Sequence, residues 1–248
     1  MNGPTAPTGV NDWLPLLERR GFAVVAGCVE ETVIAELVKG LAETEGSQRQ
    51  RRGSLYARRN LLEEVPAVQQ LAHSAPIRAL VTPVLGVGAF AVRGLLFDKT
   101  PAANWKVAWH QDLAIAVRRR VEVPGFGAWS MKAGVAHVQP PAAILEQMLT
   151  VRLHLDDCGA ENGPLQVLPG SQREGRLPAA EIRRWRERAV PEVCLVPRGG
   201  CVLMRPLLLH ASSAAQLPGH RRVVHLEFTT QPLPEGLEWL AAGTIPCG

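Results

Sequence analysis

The spacing of apolar residues changes near residue 88. Between Cys28 and Glu45, Val29, Val33, Ile34, Leu37, Val38 and Leu41 recur at intervals of three and four, which predicts an amphipathic helix stopped by Gly46. The same period runs through Leu61–Leu85 and predicts two shorter helices, broken by Pro66, Pro76 and Pro83. From Gly88 onward the runs shorten and are bounded by Gly, Pro or Asn. Strands are predicted at Ala89–Lys99, Val107–Asp112, Thr150–Asp156, Leu165–Leu168, Glu192–Val196, Cys201–His210 and Arg222–Thr230, with one helix, Ala179–Ala189, among them. Residues 46–60 are polar and basic and predict a loop. The Gly- and Pro-rich stretch Val121–Pro141 is too long for a simple connection and predicts a lid or side excursion. No polar linker divides the chain. The expectation is one domain over 1–248, with a helical part at about 1–86 packed outside a curved antiparallel β-sandwich at about 88–233.

Composition narrows the class. The 248 residues are 46% apolar and 20% charged, ordinary for a soluble globular protein, and no apolar run reaches the ~18 residues of a membrane span. The start, MNGPTAPTGVNDW, has neither a basic nor an apolar region of a signal peptide, so a cytoplasmic protein is expected. No repeat of 20–50 residues occurs. The net charge of +4 conceals 23 Arg against 4 Lys. The arginines fall in separated groups (Arg49/Arg51/Arg52, Arg118–Arg120, Arg183/Arg184/Arg186/Arg188), and aromatics are only 5%, which argues against a nucleic-acid surface. They suit a small, acidic ligand equally well, since a guanidinium pairs a carboxylate in bidentate fashion. Cys28, Cys158, Cys194, Cys201 and Cys247 are odd in number and widely spaced, with no CxxC, and read as reduced thiols. Nothing in the sequence bears on oligomeric state.

Candidate chemistry begins at Trp109-His110-Gln111-Asp112. His and Asp at i and i+2 of an extended segment project to one side. About a hundred residues later His210 ends an apolar run. Two His and one carboxylate make the facial triad of non-haem iron(II) oxygenases, which leaves three coordination positions open. Eleven residues beyond His210, after a turn at Ala215–Gly219, come Arg221 and Arg222, where a guanidinium could clamp the far carboxylate of a chelating keto acid.

Together with Glu161-Asn162-Gly163-Pro164-Leu165 and Leu168-Pro169-Gly170-Ser171, these residues resemble the phytanoyl-CoA dioxygenase family of iron(II)/2-oxoglutarate oxygenases, over roughly Leu95 to Leu233. The resemblance implies a double-stranded β-helix, or jelly roll, with helices on one sheet. It implies iron at His110, Asp112 and His210, Arg221 on the distal carboxylate of 2-oxoglutarate, and O2 as second cosubstrate. The expected activity is hydroxylation of an unactivated C–H bond of a small molecule, releasing succinate and CO2. The substrate, its binding residues, and whether it is free or carrier-bound are not implied. Two positions depart from the family pattern. Gln172 replaces a His that follows PGS, and Arg152 replaces an aromatic residue near 2-oxoglutarate in several relatives, as either a cosubstrate contact or a barrel arginine.

Other readings stay beside this one. A zinc or manganese hydrolase or isomerase could use the same three ligands without Arg221, and a jelly roll can be a non-catalytic binding protein. Strand alternation would put Arg222 on the apolar face with Val224, Leu226 and Phe228, whereas the family spacing puts Arg221 inside. His154, sharing a strand face with Arg152 and Asp156, is the rival metal ligand. His137, in the expected lid, is either a substrate contact or a solvent-exposed histidine. Asp156 and Asp157 would end a strand. Trp105, Trp109 and Trp129 are candidates for apolar pocket walls or core.

Overall fold

A computed structural model of the chain describes residues 9–48, 57–234 and 236–241. Arg49, Arg51, Arg52, Cys247 and most of the loop expected at 46–60 lie outside them. The chain opens with α1 (Val10–Arg20), β1 (Phe22–Val25), α2 (Glu31–Gln48) and the two-residue β2 (Ala57–Arg58). Then come α3 (Leu61–Glu64), α4 (Pro66–His73), α5 (Ala75–Leu85), β3 (Phe90–Lys99), β4 (Val107–His110) and β5 (Ile115–Val117). Next are β6 (Gly127–Lys132), β7 (Val135–Gln139), α6 (Ala142–Glu146), β8 (Leu149–His154) and β9 (Leu165–Val167). The last elements are α7 (Ala179–Arg188), β10 (Glu192–Cys194), β11 (Cys201–Met204), β12 (His210–Ser212) and β13 (Arg221–Thr229).

A six-stranded sheet in the order β1-β11-β8-β13-β3-β2 faces a four-stranded sheet, β10-β9-β12-β4, with antiparallel pairing throughout. The expected mainly β jelly-roll class, with N-terminal helices packed on one sheet, is the architecture found. One face of the large sheet is apolar. Ala23, Val25, Val151, Leu153, Cys201, Leu203, Val224, Leu226 and Phe228 pack there against Trp13, Leu17, Ile34, Leu37, Val68 and Ile77 of the helices. The opposite face meets the small sheet through Phe22, Val202 and Met204 against Leu165, Val167 and Cys194. Farther along β8 and β13 that inner face turns polar, with Arg152, His154, Arg221, His225 and Glu227.

Several elements differ from the expectations. The helix expected from Cys28 begins at Glu31, because the Val29 N–H is committed to the Gly199 carbonyl, and it continues through Gly46 to Gln48. Leu61–Leu85 holds three helices, because Pro66 and Pro76 each start a helix where their missing N–H costs nothing. The apolar run Cys201–His210 is two strands. The chain turns at Pro206, so β11 lies in the large sheet and β12 in the small one. Val121–Pro141 contains a hairpin, β6 and β7, that joins β5 in a third sheet packed on Val92, Leu145, Leu207 and Trp239. The helix α1 and strands β1 and β5 were not anticipated.

Gly163, in the NGPL segment, has a left-handed backbone (φ 64°) and lies where a Cβ would overlap the Ser213 carbonyl and sit 3.0 Å from the Ala215 nitrogen and Lys99 Nζ. Both constraints require glycine. Gly163→Ala is expected to destabilise the protein by about 2 kcal/mol or more, read as a lowered denaturation midpoint. An unchanged midpoint would contradict this packing.

Candidate metal centre and its cavity

β12 pairs with β4 so that His210 stands directly opposite His110, and their ring centroids are 4.2 Å apart. β4 ends at His110, two residues short of the expected Asp112. The chain is then redirected by a hydrogen bond from the Asp112 N–H to the Pro206 carbonyl (2.9 Å). Asp112 still reaches both imidazoles, with Oδ1 3.7 Å from His110 Nε2 and Oδ2 3.6 Å from His210 Nε2. The three side chains offer ligand atoms that all lie within 4.8 Å of one another. Nδ1 of His110 faces the Ala108 carbonyl at 2.8 Å and Nδ1 of His210 the Leu208 carbonyl at 2.9 Å. Those carbonyls hold the protons on Nδ1 and leave each Nε2 lone pair for a metal. Asp112 Oδ2 is buried without a hydrogen-bond partner, as a carboxylate oxygen reserved for a cation would be. Burial would raise the Asp112 carboxyl, but the charges of His210, His225, His110 and Arg93 overcome it and hold the group well below its usual range. Burial pushes His210 down to about 4 against the pull of Asp112, so its imidazole is neutral at neutral pH.

Gln111, between the two ligands, points the other way and was not singled out from the sequence. Its amide donates to the Leu207 carbonyl (2.7 Å) and the Gly175 carbonyl (2.8 Å), and its oxygen accepts from the Leu177 N–H (2.8 Å). It thereby ties the His110–Asp112 segment to the chain before His210 and to the approach of α7. Ser171, the last residue of the PGS segment, acts similarly: its hydroxyl accepts from the Leu209 N–H at 2.8 Å. Gln172, the departure beside it, packs over Gly21, away from the ligands.

The three donors open onto a cavity of about 380 Å³ whose walls include Phe97, Trp105, Leu113 and Leu165. Arg221 lies inside it, 4% exposed, donating to the Gly163 carbonyl and with its Nε unpartnered. Arg222 lies on the outer face, where Asp156 accepts its guanidinium at 2.6 and 2.9 Å. The sheet therefore places the family-spaced arginine inside, and the apolar-face argument for Arg222 fails because Asp156 supplies a counter-charge outside. Asp157 accepts from the Arg198 N–H beyond the end of β8.

Arg152 also lines the cavity. Its Nη1 is 2.9 Å from His225 Nδ1 and its guanidinium lies 5.3 Å from the Phe97 ring centre. Lys99, fully buried, donates to the Ser212 hydroxyl (3.2 Å) and the Ser213 carbonyl. Burial first, then the charge of Arg221, lowers Arg152 to about 10 and Lys99 to about 8, and burial lowers Arg221. None of the three has a carboxylate partner among the described residues.

His154 is not brought to the metal donors. It is buried with both ring nitrogens unpartnered, and burial, with the charges of Arg152 and Arg221, pushes it down to about 3. His137 is neither exposed nor in the cavity; it is buried on β7 with Nδ1 3.0 Å from the Val135 carbonyl. Of the three tryptophans, only Trp105 walls the cavity. Sequence reasoning also missed Arg93, whose Nη1 donates to Glu227 (3.0 Å) and to the Ala114 carbonyl (3.1 Å). His225 Nε2 meets the same carboxylate at 3.2 Å. The family spacing that puts Arg221 inside carries His225 and Glu227 with it on the same strand face, but nothing local distinguished Arg93 from a surface charge.

The fold recurs in solved structures. AviO1 from Streptomyces viridochromogenes Tue57 is 24% identical, with 93% of this chain and 100% of that chain covered, at a TM-score of 0.67. EctD from S. alaskensis with bound Fe is 16% identical (94% and 82% covered, TM-score 0.70). HygX from Streptomyces hygroscopicus, with nickel and 2-oxoglutarate bound, is 15% identical (90% and 88% covered, TM-score 0.61). No curated protein matches the sequence significantly. The model of the phytanoyl-CoA dioxygenase family matches residues 17–223. With the HxD, the distant histidine and the inward arginine assembled around one cavity, this chain belongs to the phytanoyl-CoA dioxygenase family.

Proposed function

We propose that the protein is an iron(II)- and 2-oxoglutarate-dependent oxygenase that hydroxylates a small molecule. The observation that supports this most is the presence, in one cavity, of the three donors together with buried Arg221 and Arg152, neither paired with a carboxylate among the described residues, and with Lys99 just behind the wall at Ser212. A metal hydrolase would have use for the donors alone. In this reading His110, Asp112 and His210 hold iron(II), and Arg221 takes the distal carboxylate of 2-oxoglutarate in bidentate fashion, with Arg152 and Lys99 adding positive potential. Iron(II) with 2-oxoglutarate and O2 supplies oxidative decarboxylation to succinate and CO2 and the power to oxidise an unactivated C–H bond. The chain contributes the rest. Backbone carbonyls fix both imidazole rings, Gln111 and Ser171 fix the segments that carry them, and Phe97, Trp105, Leu113 and Leu165 exclude water. Solved relatives in fold include an "alpha ketoglutarate dependent epimerase", SnoN, and a "carbocyclase", SnoK, and the same residues would serve such outcomes.

Titrating 2-oxoglutarate anaerobically into the iron(II) protein is expected to give a saturable visible charge-transfer band that His210→Ala abolishes. A folded, metal-loaded protein without the band would overturn the reading in favour of a zinc or manganese enzyme. In the same titration Arg221→Ala should weaken 2-oxoglutarate about thirtyfold, the equivalent of about 2 kcal/mol, while Arg222→Ala leaves it unchanged. The reverse outcome would place β13 one residue out of register. Gln111→Leu keeps all three donors but frees their segment, and is expected to weaken iron(II) binding by about tenfold or more. Wild-type affinity in that variant would make Gln111 a packing residue only.

A further inference from the structure

The cavity holds a second group of cations that the proposed cosubstrate does not use. Arg59, Arg93 and Lys132 line it from three separate elements: the segment after β2, strand β3, and strand β6 of the third sheet. Arg93 lies at the opposite end from Arg221, and Arg59 and Lys132 both feel the Arg93 charge. Lys99 pairs with Arg221 in the β3–β13 ladder, and Arg93 pairs with Glu227. Six residues along β13 separate the two pairs by about 20 Å at ~3.4 Å per residue. The metal donors line the same cavity as both groups.

The second group is short of negative charge. Of the two carboxylates that line the cavity among the described residues, Asp112 is directed at the histidines and Glu227 is already shared by Arg93 and His225. Neither Arg59 nor Lys132 has an ion pair or hydrogen bond with a described residue. Both are half-buried, and both are lowered by burial and by the repulsion of neighbouring arginines. Unpaired, half-buried cations converging from different elements on one cavity cost stability unless an anion joins them. Gln139, on β7, adds an amide to the same wall.

We infer that Arg59 and Lys132 form the anchor for an anionic group, a carboxylate or a phosphate, of the primary substrate, whose remaining atoms extend past Leu113 and Ala114 toward the metal donors. The substrate class is therefore a small organic acid or phosphate ester. This deepens, and rests on, the proposed oxygenase function.

The test uses inorganic phosphate, titrated by calorimetry into the anaerobic protein loaded with iron(II) and 2-oxoglutarate and showing the charge-transfer band. Saturable binding is expected that leaves the band's 2-oxoglutarate dependence intact and weakens about tenfold in both Arg59→Gln and Lys132→Gln. Arg222→Gln, which removes the same charge from the outer face, should bind as wild type does. Affinity unchanged in both cavity variants would mean an ion on the metal or an adventitious ion only, and would overturn the inference. So would displacement of 2-oxoglutarate, which would put phosphate on Arg221, or the absence of saturable binding. Absence of the band before any phosphate is added would instead sink the oxygenase reading itself.

Discussion

The pleat of β13 imposes two incompatible environments on one strand. Val224, Leu226 and Phe228 face the helices, while Arg221, His225 and Glu227 face the cavity between the sheets. Period-two alternation lets one backbone serve a dry core and a charged chamber within the width of a sheet. β8 repeats the device with Val151 and Leu153 against Arg152 and His154. The helices are required by it: without α1–α5 to cover the apolar side, the large sheet could not present a polar interior and remain folded.

That polar interior is strongly cationic. Six Lys and Arg side chains line or border the chamber, against the carboxylates of Asp112 and Glu227. Asp112 is directed at the histidines and Glu227 at Arg93 and His225, so little negative charge is left over. Low accessibility makes this imbalance expensive, and the lowered affinity of Lys99 and Arg152 for their protons expresses the same cost. Stability is sacrificed where ligands bind and recovered in the apolar layer beneath the helices, the usual division between site and scaffold.

What was legible in the sequence followed local pattern. His110, Asp112, His210 and Arg221 each belong to a short motif with a fixed offset, and strand alternation or family spacing gave their direction. The fold class followed from the change of period near residue 88. Arg59, Arg93 and Lys132 were not legible as a group, because they are brought together by a connecting segment and by strands of two different sheets, and each alone resembles a solvated charge. Gln111 escaped notice because an HxD pattern leaves its middle position blank, and alternation says only that this residue faces away from the two ligands, not that chain covers it there. The split between β11 and β12 was hidden by unbroken apolarity from Leu207 to Leu209, with Pro206 as the one sign of a turn. Gly46 did not end α2, since a helix tolerates a glycine at a cost of about 1 kcal/mol.

The Arg222–Asp156 pair does more than neutralise an outer charge. Asp156 accepts from the Arg222 backbone N–H as well as from its guanidinium, fixing that residue immediately beyond the end of β8. Since the neighbouring residue is also arginine, a slip of one position would leave the chain with a guanidinium inside and would change few contacts of its own type. The rest of β13 would be inverted, with Val224 and Leu226 in the chamber and His225 under the helices. The outer pair thus adds to the register that the alternation of β13 already sets, and a 213–220 turn of altered length would still meet the Asp156 carboxylate where the strand begins.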